Sequence, residues 1–176
     1  MNLPAGIESG FEIYLSKSDV RVMIDGIRVD YLNLPEMTRA IFCAEMYASK
    51  RVIESLRMMG HSHPDEMELK FVGCRYGAIN ETPDLVTGIT IADAPNCENI
   101  GHCLGYGTVC LIPCKLTRKE YQVARFIAIG KLDKEICHLL EITLPTCRTY
   151  FVRIREKLGL NNRVEIALWA QKLGIV

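Results

Sequence analysis

The chain changes its hydrophobic rhythm partway along. Residues 20–31 alternate apolar and polar positions, whereas the last sixty repeat them at helical spacing. In the C-terminal stretch Thr117 precedes Glu120 by three, the spacing of a capping box that satisfies free N–H groups at a helix start. Val123, Phe126 and Ile127 follow at helical spacing, and Gly130 provides a stop. Asp133 is the N-cap expected for a second helix burying Ile136, Leu139 and Leu140. After the short Glu141-Ile142 connection, Thr143 caps a third helix over about 144–158, with Pro145 in its first turn, where a missing N–H costs nothing. Cys147, Phe151, Ile154 and Leu158 form that helix's buried stripe, and Gly159 ends it. A fourth helix begins near Asn162, with Val164, Ala167, Leu168 and Leu173 apolar.

In the N-terminal part Val20, Val22 and Ile24 alternate, Asp25-Gly26 follows, and Ile27, Val29 and Tyr31 continue the pattern, which predicts a hairpin. Residues 11–15 are a candidate third strand. Pro35 opens a long helical pattern through Met59, with Met37, Ile41, Ala44, Ala48, Val52 and Met59 near one face and Gly60 as its end. After His61-Ser-His63-Pro64, where both histidines read as loop residues, two strands are expected over 67–74 and 85–92. The fold class is thus an α+β domain over residues 1–114, followed by an all-α four-helix helix-turn-helix domain over 115–176. The boundary is set at Pro113-Cys114-Lys115, and no repeat or low-complexity segment interrupts either part.

Charge sharpens this division. The formal net charge is zero, but residues 115–176 carry 12 Lys and Arg against 6 Asp and Glu, while residues 1–114 carry 9 against 15. An acidic part joined to a basic one is the layout expected when one end meets nucleic acid. With 176 residues the chain holds one large or two small domains. No apolar run approaches the roughly 20 residues needed to span a bilayer. The N-terminus lacks the pattern of a secretory signal, so a cytoplasmic location and no membrane partner are expected. In that compartment the eight cysteines are thiols or metal ligands rather than disulfides.

Two helices joined by so short a turn cross at a large angle, and the third helix is then the one to enter the major groove of duplex DNA. Its polar face carries Arg148, Thr149, Arg153 and Arg155, with Lys157 near its end. Arginine forks match guanine O6 and N7.

Residues 116–170 resemble the LuxR-type (GerE-like) DNA-binding domain of bacterial transcription regulators. The resemblance rests on Leu116-Thr117, Glu120, Val123, Gly130, Lys134-Glu135-Ile136, Leu140, Thr146, Ile154, Lys157-Leu158 and Arg163, and covers about a third of the chain. Thr143 replaces the usual Ser, Cys147 stands where Val is usual, Arg148 where Lys is usual and Tyr150 where His is common. The resemblance implies a four-helix domain that forms a homodimer through its last helix on a two-fold DNA site, with RNA polymerase as a further candidate partner. It implies base contact from the Arg148, Thr149 and Val152 positions and phosphate contact from Lys134, Thr146, Tyr150 and Arg153. Val152 departs from the polar residue often found there, which limits it to apolar contact such as a thymine methyl. Arg163 reads either as a phosphate contact or as a surface partner of Glu165; Trp169, the only tryptophan, as core or dimer contact.

The N-terminal part offers one chemical oddity. Cys97, Cys103, Cys110 and Cys114 lie within 18 residues, with Cys74 and His102 as further candidates. Four thiolates suit zinc or an iron–sulfur cluster. The alternatives are buried inert thiols, which the apolar neighbours of Cys110 favour, or a redox sensor. The antiparallel pattern does not suit a phosphoacceptor receiver, and the part is short for an acyl-homoserine-lactone sensor. No nucleophile–base pair suggests an enzyme: Cys103 and His102 are sequence neighbours, which rarely aim both side chains at one point. The reading is a DNA-binding transcriptional regulator whose N-terminal domain supplies regulation or oligomerisation. The alternative is a metal- or redox-responsive switch using the cysteine cluster as input to the same output.

Overall fold

The computed structural model describes residues 6–7, 9–16, 19–93, 97, 99, 102–111, 116–172 and 175. They fall into two units, Met1–Cys97 with Cys103–Leu111, and Glu98–His102 with Ile112–Val176. The boundary tripeptide 113–115, and with it Cys114, lies outside the described residues, as does Leu173.

Unit 1 opens with an antiparallel meander, β1 (Phe11–Ser16), β2 (Asp19–Ile24) and β3 (Ile27–Asp30). Asp25 and Gly26 both have positive φ (47° and 81°) between the paired Ile24 and Ile27, the primed turn that a two-residue hairpin requires. The third strand expected over 11–15 is β1, in register Phe11↔Ile24, Ile13↔Val22 and Leu15↔Val20. Its outer edge is covered by the chain near residues 77–84. The Asp84 amide donates to the Phe11 carbonyl, the Ile13 amide to the Asp84 carboxylate at 2.5 Å, and the Leu15 amide to the Gly77 carbonyl. Backbone groups that would otherwise recruit another strand are thereby satisfied.

The long helix expected over 35–59 is two helices, α1 (Glu36–Ala48) and α2 (Lys50–Met58). Ser49 breaks it with extended backbone and caps α2, the Val52 amide donating to its hydroxyl. The expected buried stripe is also displaced. Phe42, Cys43 and Met46 are the buried side of α1, whereas Met37 is 84% exposed and Ile41, Ala44 and Ala48 face solvent. α1 is apolar on more than one face, so periodicity alone does not say which face is inside.

The strand expected over 67–74 is instead the middle of α3 (Pro64–Tyr76). Pro64 in the first turn and Asp65 and Glu66 beside it are helix-start signals that outweigh the local strand pattern. The strand expected over 85–92 is a small hairpin, β4 (Leu85–Val86) and β5 (Ile89–Thr90), turning at Thr87 and Gly88. α3 packs on β1 and β2. Gly73 permits the approach, since a Cβ there would lie 2.9 Å from Leu15 Cδ2. The core joins Ile13, Val22, Tyr31, Phe42, Met46, Leu56, Phe71, Val72 and Tyr76, with Phe42 stacked on Phe11 and edge-on to Tyr76.

Unit 2 is helical: α4 (Arg118–Ala128), α5 (Asp133–Leu140), α6 (Leu144–Leu158) and α7 (Arg163–Lys172). α4 packs against α6 and α7, and α5 against α6. The expected capping box is present: the Glu120 amide donates to the Thr117 hydroxyl, and the Thr117 amide to Glu120 at 2.7 Å. At α5 the cap position is Leu132 rather than Asp133, and Glu135 takes the Leu132 amide at 2.7 Å. Ile136 and Leu140 are buried as expected, but Leu139 is 50% exposed. On α7 the buried side chains are Ile166 and Ala170; Val164 and Leu168 are 65% and 59% exposed.

Candidate nucleic-acid interface

The connection between α5 and α6 fixes the geometry of the basic helix. Glu141 takes the left-handed conformation (φ 53°) at the end of α5, and the Ile142 amide reaches back to the Cys137 carbonyl at 3.0 Å. Thr143 then caps α6, its hydroxyl accepting from the Thr146 amide and lying 2.9 Å from the Thr146 hydroxyl. Thus two residues, Glu141 and Ile142, reverse the chain before the next cap, and the first turn of α6 is held by its own side chains.

Cys147 and Ile154, seven apart, bury one side of α6. The helical repeat then places Arg148, Thr149, Val152, Arg153 and Glu156 on the opposite side, and all are exposed. Thr149 holds its hydroxyl against its own helix, donating to the Pro145 carbonyl at 3.0 Å. Thr146 and Tyr150 are half-buried beside this face, and Lys134 is exposed in the first turn of α5. Among the described residues no ion pair engages Arg148 or Arg153.

Three basic residues grouped with them by sequence are used elsewhere. The Arg155 guanidinium lies over the Phe151 ring, 5.5 Å from its centroid. Lys157 turns back to α4 and pairs with Glu120 at 2.6 Å. Arg163 binds Asp133 and the Lys131 carbonyl, tying the start of α7 to that of α5. Its suggested partner Glu165 instead accepts from the Asn161 amide and the Asn162 side chain, both at 2.8 Å. Trp169 is half-buried.

Burial works against ionisation of Glu120, but the Lys157 ammonium together with the Thr117 amide and hydroxyl outweighs it and holds the carboxyl below its ordinary range. The Glu120–Lys157 pair, absent from the sequence reading, therefore links the helix-start cap of α4 to the far end of α6. The Thr117-x-x-Glu120 spacing signalled the cap; nothing local signalled the lysine.

None of the cysteines named as metal candidates lies on α6. Cys97, Cys103 and Cys110 belong to unit 1, and Cys114 lies outside the described residues. Among the described residues no group of three or more His, Cys, Asp or Glu side chains could hold a metal ion. Nor is any described helix long and apolar enough to cross a membrane.

Comparison with known proteins agrees with the helical geometry. Residues 114–170 match the model for bacterial regulatory proteins of the luxR family. Similar proteins include the uncharacterized response regulatory protein YgeK of Escherichia coli, 31% identical over 61 residues, a match covering 35% of this chain and 42% of that protein. The transcriptional regulatory protein LiaR of Bacillus subtilis is 36% identical over 61 residues, covering 35% of this chain and 29% of LiaR. The HTH-type quorum sensing-dependent transcriptional regulator VjbR of Brucella ovis is 37% identical over 79 residues, covering 40% of this chain and 30% of VjbR. In each case the match spans less than half of the relative's length. The helices that carry the exposed arginine face thus lie within the stretch, residues 114–170, that matches the luxR-family model.

Proposed function

We propose that unit 2 binds duplex DNA with α6 in the major groove and that the chain is a cytoplasmic transcriptional regulator rather than an enzyme. One observation carries the groove assignment: Arg148 and Arg153, on the exposed side of a firmly capped helix, have guanidinium groups that no ion pair engages among the described residues. Arg148, Thr149 and Val152 then face base edges, while Arg153, Thr146, Tyr150 and Lys134 position the phosphate backbone. Arg163 serves instead as an internal tie, through Asp133 and the Lys131 carbonyl. Unit 1 supplies regulation or oligomerisation, and RNA polymerase is the partner through which promoter binding would act.

DNA selected from a random pool provides the test. Arg148→Ala should weaken binding to the selected sequence by about 1–3 kcal/mol and relax discrimination at one base position. Arg153→Ala should weaken all sequences alike and flatten the salt dependence by about one unit. Wild-type affinity and unchanged base preference in both variants would remove α6 from the groove.

The dimer is proposed to form through α7, whose Val164 and Leu168 present an exposed apolar strip beside Trp169. Helix-turn-helix dimers match paired half-sites about one helical turn apart. Leu168→Glu should therefore abolish cooperative occupancy of paired half-sites while leaving single-half-site binding intact. Cooperativity unchanged in this variant would place the dimer contact elsewhere.

A further inference from the structure

α1 carries a second apolar strip on the side away from the core. Phe42, Cys43 and Met46 are its buried residues, and it packs on α2, α3 and β5. Opposite them Met37, Ala40, Ile41, Ala44 and Ala48 share one face of the helix, a strip about 100° wide. All are exposed, Met37 by 84%. A strip of that width normally faces a core. This one holds no charged or polar residue. The polar groups on its two flanks are engaged within unit 1: Glu45 pairs with Arg75 at 2.9 Å, and the Tyr47 hydroxyl donates to Glu68 at 2.9 Å. The strip has no hydrogen bond to offer, so a surface that covers it has to be apolar as well.

The order of sizes along the strip fits its own copy. A two-fold axis between Ile41 and Ala44 runs two α1 helices antiparallel. It sets Met37 beside Ala48 of the second copy, and Ile41 beside Ala44 of the second copy. Each large side chain then meets a small one, the alternation that lets facing helices interlock. The same operation brings Glu36, in the first turn of α1, toward Lys50 of the second copy, just past the helix end. Glu36 and Lys50 are both exposed, and neither joins an ion pair among the described residues. A parallel pairing would set Met37 on Met37 and Glu36 on Glu36, opposed in size and in charge.

We propose that unit 1 forms a homodimer by antiparallel pairing of α1 about a two-fold axis between Ile41 and Ala44. This pairing rests on the reading of unit 1 as the part that supplies oligomerisation. It holds two chains together off DNA, while α7 remains the contact that matches paired half-sites. One helix pair of this length buries less than a standard interface, so the dimer is concentration-dependent.

Sedimentation of the full chain without DNA, over a series of concentrations, provides the test. Leu168→Glu is the background throughout, so that α7 contributes nothing to the dimer measured. This background should dimerise reversibly. Adding Ala44→Glu puts two carboxylates together at the axis and should raise the dimer dissociation constant by at least about a hundredfold. Ala44 is exposed, so unit 1 should keep its fold, which amide protection of β1–β3 checks. A second set of variants leaves the strip itself untouched. Glu36→Lys should weaken the dimer by about tenfold, and Glu36→Lys combined with Lys50→Glu should restore it. A background that stays monomeric at every concentration would remove oligomerisation from unit 1, and the α1 pairing with it. A dimer that survives Ala44→Glu, or that the double charge reversal fails to restore, would leave unit 1 oligomeric through another arrangement and overturn the α1 pairing alone. None of these outcomes depends on α6 reading DNA.

Discussion

Asp84→Asn should make unit 1 more stable above neutral pH and flatten its pH dependence. Three carboxyl groups, Glu12, Asp84 and Asp93, are buried together. Asp84 takes the Ile13 amide; Asp93 takes the Ala78 amide at 2.9 Å and the Asn80 side chain at 2.6 Å; Glu12 takes the Asn80 amide at 2.8 Å. One oxygen each of Glu12 and Asp84 is buried without a protein hydrogen-bond partner. Burial pushes Glu12 up to about 8, with Asn80 opposing and Asp93 adding to the shift. Asp84 and Asp93 are likewise raised, chiefly by burial, and Asp84 further by Asp93. Among the described residues no basic side chain is hydrogen-bonded to any of the three.

A raised carboxyl keeps its proton longer in the folded than in the unfolded state. Its contribution is therefore fully favourable below the unfolded value and falls as pH rises toward the folded one, for Glu12 from about 4.5 to about 8. At about 1.4 kcal/mol per pKa unit, the loss amounts to several kcal/mol. Asparagine retains an acceptor for the Ile13 amide and removes one ionisation. Hydrogen exchange of the β1–β3 amides at pH 5, 7 and 9 provides the readout. Wild-type protection that is flat or rising with pH would refute the account. Asp84→Ala, which leaves the Ile13 amide unsatisfied, should instead destabilise at every pH.

Glu120→Ala should destabilise unit 2 by about 3 kcal/mol. It removes one half of the capping box and leaves Lys157 without its carboxylate. Lys157 is one-third exposed, which keeps the expected cost at the lower end for a buried pair. Glu120→Gln preserves an acceptor for the Thr117 amide and should cost less. Trp169, the only tryptophan, lies in unit 2, so its fluorescence in urea follows this unit separately. A loss below about 1 kcal/mol for Glu120→Ala would show the pair to be no stronger than an exposed one. Because the Glu120 carboxyl is held low, its contribution disappears as the solution is acidified through its folded value, the opposite sense to unit 1.

Much of unit 2 was legible because its signals are local. Thr117 with Glu120, Thr143 with Pro145, and Gly159 with φ 67° each fix a helix end within a few residues. The errors there concern direction rather than existence: Leu139 faces outward, and Lys157 and Arg163 turn inward to partners on other helices. Unit 1 was harder to read. Its first helix is apolar on more than one face, Ser49 interrupts a pattern that reads as continuous, and α3 begins with helix-start signals set against a local strand pattern. The carboxylate cluster joins residue 12 to residues 80, 84 and 93. No periodicity within a single segment reveals that association.

The covering of β1 sets an order on assembly. Ile13 and Asp84 are 71 residues apart, and Glu12 and Asn80 are 68 apart. Contacts so distant in sequence form late, after the loop-closure entropy between them has been lost. As the chain leaves the ribosome, β1 pairs with β2 early, and its outer amides at Ile13 and Leu15 then await residues 77–84. During that interval the edge is a template for the same strand of a neighbouring chain, the route by which nascent β-structure aggregates. The helix caps of unit 2 close over three residues and face no comparable delay.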